Sequence, residues 1–176
     1  MPFHARNIPE KEKNNMYNSQ KYHRHTIRLQ GYDYSKSGLY FVTICTKDRL
    51  NIFGDITQNQ MVLSEHGMIA QNMLTKMLEK LNEYITINDY VIMPNHMHLI
   101  IQIKKDFKVK LGNLITHYKS LVTKEINKMC FLDVWQRNYY EHIIRNEKEL
   151  YLIKQYIKDN PINWEEDSLK KGYENI

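Results

Sequence analysis

The stretch Tyr90-Val-Ile-Met-Pro-Asn-His96-Met97-His98-Leu-Ile-Ile-Gln-Ile103 decides how the rest of the chain is read. Pro94-Asn95 interrupts an otherwise β-rich run. The segment therefore predicts two strands, 85–93 and 96–103, joined by a turn short enough for an antiparallel hairpin. Alternate side chains of a strand share a face, so Met97, Leu99 and Ile101 point to a core and His96 and His98 point the other way. The two histidine Cα atoms lie roughly 6.6 Å apart at the usual rise per residue. Two imidazoles at that spacing can converge on one divalent ion. They can equally be two polar groups on the outer face of an amphipathic strand, and the residues alone leave both readings open.

Upstream, Gly38-Leu-Tyr-Phe-Val-Thr-Ile-Cys-Thr46 is β-branched and aromatic and predicts a largely buried strand. Phe53-Gly-Asp-Ile56 reads as a short strand or a turn. Ser64 suits a helix N-cap, and Met68, Ile69, Met73, Leu74, Met77, Leu78 and Leu81 follow at helical spacing. Downstream, a helix runs from about Leu111 to Lys128. Leu114, Ile115, Tyr118, Leu121, Val122 and Ile126 form its apolar side, with Lys119 and Lys124 on other faces. Val134 to Arg145 reads as a strand, and Glu147 to Asn160 as a helix stopped by Pro161. The order strand, helix, strand, strand, helix, strand, helix predicts an α+β fold with a ferredoxin-like split βαβ core. Its antiparallel sheet carries helices packed on one face, and a C-terminal helix bears Tyr156.

The 176 residues fit one domain at 26–164, with a flexible basic arm at 1–25 and a polar tail at 165–176. Apolar residues make up 42%, enough for a core, and the +5 net charge makes a polyanion partner plausible. Cys45 and Cys130 form no CxxC or Cys/His cluster, which argues against a structural zinc site. There is no apolar run near the ~20 residues of a membrane span. Residues 1–21 lack the apolar stretch of a signal peptide. A cytoplasmic protein with no membrane partner is the expectation.

A second informative segment is Leu150-Tyr-Leu-Ile-Lys-Gln-Tyr156-Ile-Lys-Asp-Asn160-Pro161. Tyr156 and Asn160, i and i+4, share a helix face. An Asn carbonyl oxygen is a hard ligand suited to Mg²⁺ or Mn²⁺, and a tyrosine one turn before it would be held near the ion. Taken alone, Tyr156 is as readily a packing residue and Asn160 a helix-end residue before proline.

Taken together, these segments resemble the single-tyrosine HUH transposases of the insertion-sequence type, in particular the REP-associated tyrosine transposases. His96-Met97-His98 after Val-Ile-Met-Pro-Asn is similar to the HUH motif. Tyr32-Asp-Tyr34 and Tyr40-Phe-Val-Thr-Ile-Cys-Thr-Lys-Asp-Arg49 resemble the family's first strand. Trp135-Gln-Arg137 and Tyr140-Glu-His-Ile-Ile-Arg145 resemble its Trp-Gln and Glu-His-x-Ile-Arg signature, and Tyr156-Ile-Lys-Asp-Asn-Pro161 its Tyr-Ile-x-x-Asn-Pro block. The resemblance covers about residues 24–164.

It implies a ferredoxin-like core, His96 and His98 as paired metal ligands, Asn160 as the third, and Tyr156 as nucleophile. It further implies nicking and rejoining of single-stranded DNA through a 5′-phosphotyrosine, with Mg²⁺ or Mn²⁺ and a hairpin at element or repeat ends. Monomers and homodimers are both compatible with it. DNA contacts are expected from the basic arm with Arg24 and Arg28, and from Lys119, Lys124, Arg137 and Arg145, with Tyr139 or Tyr140 free to stack on bases. Two rivals share some of these features: a nucleic-acid-binding module without catalysis, and a metal hydrolase built on the His pair.

Overall fold

The structure is a computed structural model and describes residue 33 and residues 36–104 and 109–170. The basic arm, with Arg24 and Arg28, lies outside the described residues. The main sheet contains β1 (Gly38–Cys45), β4 (Ile85–Met93), β5 (His96–Ile103) and β6 (Tyr140–Ile144), in the order β4-β5-β1-β6. All neighbours are antiparallel. Helix α1 (Glu65–Leu81) connects β1 to β4, and α2 (Leu111–Ile126) connects β5 to β6. This is the split βαβ arrangement predicted from the sequence. A small hairpin, β2 (Gly54–Thr57) and β3 (Gln60–Leu63), precedes α1, and α3 (Glu147–Asp159) follows β6.

Alternation along the strands sorts the side chains onto two faces. Tyr40, Val42 and Ile44 of β1 and Met97, Leu99, Ile101 and Ile103 of β5 pack with Ala70, Met73, Leu74 and Met77 of α1 and with Leu114, Ile115, Tyr118 and Val122 of α2. The Tyr118 hydroxyl donates to the Ala70 carbonyl at 2.9 Å, which satisfies a polar group buried between the two helices. On the opposite face Phe41, Ile100 and Ile144 meet Ile153 and Ile157 of α3. Burial of each such side chain contributes about 1.5–3 kcal/mol. The sheet is thus covered by α1 and α2 on one side and by the tyrosine-bearing helix on the other, where His96 and His98 also point.

Local signals fix the helix starts. Ser64 caps α1, accepting from the Gly67 amide at 3.2 Å. Gly67 has a packing role: a Cβ there would sit 2.1 Å from the Phe53 carbonyl oxygen, so no larger residue fits without displacing backbone. Phe53 in turn donates its amide to Pro94, which seats the hairpin beneath the turn preceding His96. Asn146 caps α3, accepting from the Glu149 amide at 2.8 Å.

The structure corrects three sequence readings. Met68 is 48% exposed, and Ala70 takes the buried position in its stead. The strand predicted over 134–145 is shortened to Tyr140–Ile144. Trp135 meets the sheet through a single bridge to Thr46. The carbonyls of Gln136 and Asn138 are taken by the Lys119 ammonium at 2.7 and 3.2 Å, not by a strand ladder. Residues 165–170, read as the start of a polar tail, are folded back onto the sheet with Asp167 buried. Successive turn hydrogen bonds from Asn163, Glu166 and Asp167 to the residues three or four before them reverse the chain after α3.

Candidate active site

The site is built on the sheet face beneath α3. His96 and His98 occupy the first turn-proximal positions of β5, opposite Cys45 and Thr43 of β1 and Met93 and Val91 of β4. Both are buried, at 0% and 2% exposure, so the reading of a solvated outer face does not hold. Their Nε2 atoms lie 3.1 Å apart. The Phe41 ring stacks on His98 with centroids 5.2 Å apart, and Trp164 lies 6.0 Å from the His96 ring.

Helix α3 brings Tyr156 and Asn160 to the same place. The Tyr156 hydroxyl lies 3.2 Å from His98 Nε2. Asn160 is 2% exposed and donates from Nδ2 to Asp167 Oδ2 at 3.1 Å. Asp167 Oδ2 lies 3.8 Å from His96 Nε2, and Asp167 Oδ1 accepts from the Leu169 amide at 2.7 Å. The four residues predicted from sequence therefore converge within one chain, together with Asp167, which sequence reasoning did not single out.

Electrostatics keep the two imidazoles uncharged. His96 is held well below the ordinary imidazole range, first by burial and then by the nearby charges of His98 and Arg49. Burial pushes His98 down to about 3. Both rings are thus neutral at pH 7 with nitrogen lone pairs available for a cation. The Tyr156 phenol is raised above its usual value, first by burial and then by the Asp167 carboxylate, with Asn160 acting in the opposite direction. In this arrangement the phenol keeps its proton.

The donors suit a divalent ion. His96, His98 and Asp167 each offer an atom within 4.8 Å of the others. Among the described residues, Asn160 Oδ1 is buried and accepts no hydrogen bond. A buried carbonyl oxygen without a partner is costly, and its position beside a carboxylate and two imidazoles is where a cation would satisfy it. Two nitrogens, an amide oxygen and a carboxylate oxygen form a borderline-to-hard set compatible with Mg²⁺ or Mn²⁺.

The predicted DNA contacts are distributed differently. Lys119, Lys124 and Arg137 line one shallow groove with Thr116, Ser120 and Thr123, with a volume of about 430 Å³. Arg145 is exposed at the end of β6, where its backbone amide donates to Glu149 at 2.8 Å. Tyr140 is 51% exposed, whereas Tyr139 packs against the core. His142 bonds Glu149 at 2.5 Å and ties β6 to the first turn of α3.

The antiparallel sheet thus carries a strand-borne histidine pair that faces a helical tyrosine. Residues 34–160 match the family of IS200-like transposases. The chain is 38% identical to an uncharacterized protein of Haemophilus influenzae, over 87% of this chain and 96% of that one. It is 26% identical to the REP-associated tyrosine transposase of Escherichia coli K12, over 73% of this chain and 69% of that one. Its fold is similar to that of a REP-associated tyrosine transposase solved bound to a REP hairpin, with a TM-score of 0.59 and 22% identity over 78% of this chain and 74% of that one. The chain belongs to the IS200-like transposase family, tyrosine transposases that bind, cleave and rejoin DNA. No helix among the described residues is long and apolar enough to cross a membrane.

Proposed function

We propose that this chain nicks and rejoins single-stranded DNA at hairpin-containing element or repeat ends, with Tyr156 as the nucleophile. The observation that carries the reading is the 3.2 Å approach of the Tyr156 hydroxyl to His98 Nε2, inside a buried cluster of metal-capable donors. The tyrosine oxygen attacks a backbone phosphorus, the bond from phosphorus to the 3′ oxygen breaks, the phenol proton leaves to solvent, and the departing 3′ oxygen takes a proton from solvent. The products are a 5′-phosphotyrosine and a free 3′-hydroxyl. A 3′-hydroxyl then attacks the phosphotyrosine and restores a phosphodiester, so the bond energy is retained and no nucleotide cofactor is required.

His96, His98 and Asn160 would hold Mg²⁺ or Mn²⁺, and Asp167 adds an anionic oxygen to that set. When bound, such an ion supplies charge that polarises a phosphate oxygen and favours the phenolate. The chain's own residues do the rest. Phe41 and Ile153 wall the base of the site with hydrocarbon and limit water there. The His142–Glu149 bond and the Asn146 cap fix the start of the tyrosine helix. Lys119, Lys124 and Arg137 present cations to the phosphate backbone, and Tyr140, paired with Thr43 at the rim, offers a ring for an unpaired base. Recognition of a hairpin is supported by the structural relative, which was solved bound to a REP hairpin. All four predicted groups come from one chain, which favours a site complete in a monomer.

The test is incubation of the purified protein with Mn²⁺ and single-stranded DNA carrying a hairpin, resolved on a denaturing gel. A covalent protein–DNA adduct at Tyr156, identified by mass spectrometry, is the expected result. Tight binding with no adduct on any hairpin would favour a non-catalytic binding module.

A further inference from the structure

Asn95 is fully buried in the turn that precedes the two histidines. Its orientation follows from its neighbours. Nδ2 lies 3.2 Å from the Arg49 carbonyl oxygen and 2.9 Å from that of Leu169. Carbonyl oxygens only accept, so the amide nitrogen belongs on that side, and Oδ1 is the atom 2.8 Å from His96 Nδ1. An amide oxygen cannot donate. His96 therefore carries its proton on Nδ1 and its lone pair on Nε2, the nitrogen that faces His98 and Asp167.

His98 is held by a different kind of group. Its Nδ1 lies 2.8 Å from the Thr43 hydroxyl, which can donate or accept. Because His96 Nε2 is an acceptor, the 3.1 Å contact between the two Nε2 atoms places the proton on His98 Nε2, and the Tyr156 oxygen, 3.2 Å from the same nitrogen, is a second acceptor for it. Thr43 then donates to His98 Nδ1.

We propose that Asn95 is a positioning residue that locks His96 as a ready-made metal ligand, while the Thr43 hydroxyl lets His98 change tautomer when an ion enters. This rests on the metal reading given above. In the exchange His98 Nε2 gives its proton to water, Nδ1 takes one from water, and Thr43 turns from donor to acceptor, so the proton count is unchanged. The same carboxamide reaches further. Arg49 ends a left-handed pair, with φ of 50° at Asp48 and 57° at Arg49, and Leu169 follows Asp167. One side chain thus joins a histidine ligand, the loop after β1 and the segment that delivers Asp167. Hydrogen-bond partners of this kind fix ring orientation, and their loss typically weakens metal affinity by about 10–100-fold.

The experiment combines ¹⁵N-histidine NMR of the metal-free full chain at neutral pH with Mn²⁺ titration followed by electron paramagnetic resonance. Wild type should show the Nδ1–H pattern for His96. Asn95→Ala should lose that pattern and bind Mn²⁺ about 10–100-fold more weakly. Asn95→Asp retains an acceptor for His96 but loses both donations, so it should keep the tautomer and nearly the wild-type Mn²⁺ affinity while melting at a lower temperature. Thr43→Val should weaken Mn²⁺ binding, and Thr43→Ser should restore it. An Nε2–H pattern for His96 in the wild type, or an Asn95→Ala protein that binds Mn²⁺ like wild type, overturns the proposal. If Asn95→Ala fails to fold, Asn95→Asp and the Thr43 pair decide. A wild-type protein that binds no Mn²⁺ overturns the metal reading itself, and the metal-free spectrum still decides the tautomer lock.

Discussion

The Tyr156 hydroxyl and His98 Nε2 are separated by 3.2 Å, although the two residues are 58 positions apart in the chain. The contact joins the tyrosine helix to the strand of the histidine pair, and it makes the two groups separable by mutation. Tyr156→Phe keeps the ring that packs edge-on against Phe41, 6.1 Å between centroids, and removes only the oxygen. Adduct formation on single-stranded DNA should fall by at least about a thousandfold, the scale seen when a nucleophile is deleted. Mn²⁺ affinity should stay near wild type, and stability should change by no more than about 1 kcal/mol. Cleavage that survives this substitution would instead point to a water-using metal hydrolase.

Asp167 is the anionic member of the cluster, and it also accepts the Asn160 amide. Asp167→Ala should weaken Mn²⁺ binding by about 10–100-fold, because it removes both a donor and the partner that orients Asn160. Asp167→Asn should be weaker than wild type but stronger than Asp167→Ala, since it keeps an oxygen and loses the charge. Isothermal titration of the metal-free proteins with Mn²⁺ measures the series. Equal affinity in all three would remove Asp167 from the site.

Much of this was legible beforehand, for reasons that can be named. The two-residue period of a strand, with Met97, Leu99 and Ile101 on the core side, put His96 and His98 on one face, and the family resemblance decided between a metal pair and a solvated face. The i and i+4 spacing put Tyr156 and Asn160 on one helix face, and the resemblance to the single-tyrosine HUH transposases gave them their roles. Asp167 was not legible. It sits seven residues past Asn160 in a polar stretch with no periodicity, and it returns to the site only through a sequence of turns after Pro161. Asn95 looked like turn punctuation, because its buried hydrogen bonds reach Arg49 and Leu169, far away in sequence. The missing strand at 134–139 has a similar cause: a lysine from α2 captured two carbonyls, and no local propensity encodes that.

The two imidazoles also set how stability depends on pH. Both titrate lower in the folded chain than in an unfolded one, where histidine has a pKa of about 6.5. Below that value the unfolded state binds protons that the folded state refuses, so stability falls as pH falls. The slope approaches about 1.4 kcal/mol per pH unit for each histidine, and for His98 it continues down to about 3. Urea denaturation of the metal-free protein at pH 7, 6 and 5 should show this loss. His98→Ala should flatten the slope by one proton's worth. A stability constant from pH 7 to 5 would contradict the buried, neutral state of the pair.

Glu149 holds the start of α3 in three ways. It bonds His142 at 2.5 Å, accepts from the Arg145 amide at 2.8 Å, and donates its own amide to Asn146 at 2.8 Å. Glu149→Ala leaves the last bond and removes the first two. The side chains are partly exposed, 35% for His142 and 25% for Glu149, so the expected loss is about 1–2 kcal/mol. Because the helix carries Tyr156, adduct formation should slow more than Mn²⁺ binding weakens. Thermal melts and single-turnover adduct assays on the same preparation separate the two effects.

The basic groove beside α2 makes a last, quantitative prediction, because its cations are not equivalent. Lys124 and Arg137 are exposed side chains whose charges are free to meet phosphate. Lys124→Ala and Arg137→Ala should each lower the slope of log affinity against log salt by about 0.7, the value for one single-strand phosphate contact, with little change in melting temperature. Lys119 is different. Its ammonium donates to Gln136 and Asn138 and sits 6.0 Å from the Trp135 ring centroid. Lys119→Ala therefore releases the loop between α2 and β6, and it should lower the melting temperature as well as the salt slope. Fluorescence anisotropy with labelled single-stranded DNA at several salt concentrations, read beside thermal melts, distinguishes the three. A salt slope unchanged in all of them would place the DNA backbone on another face of the protein.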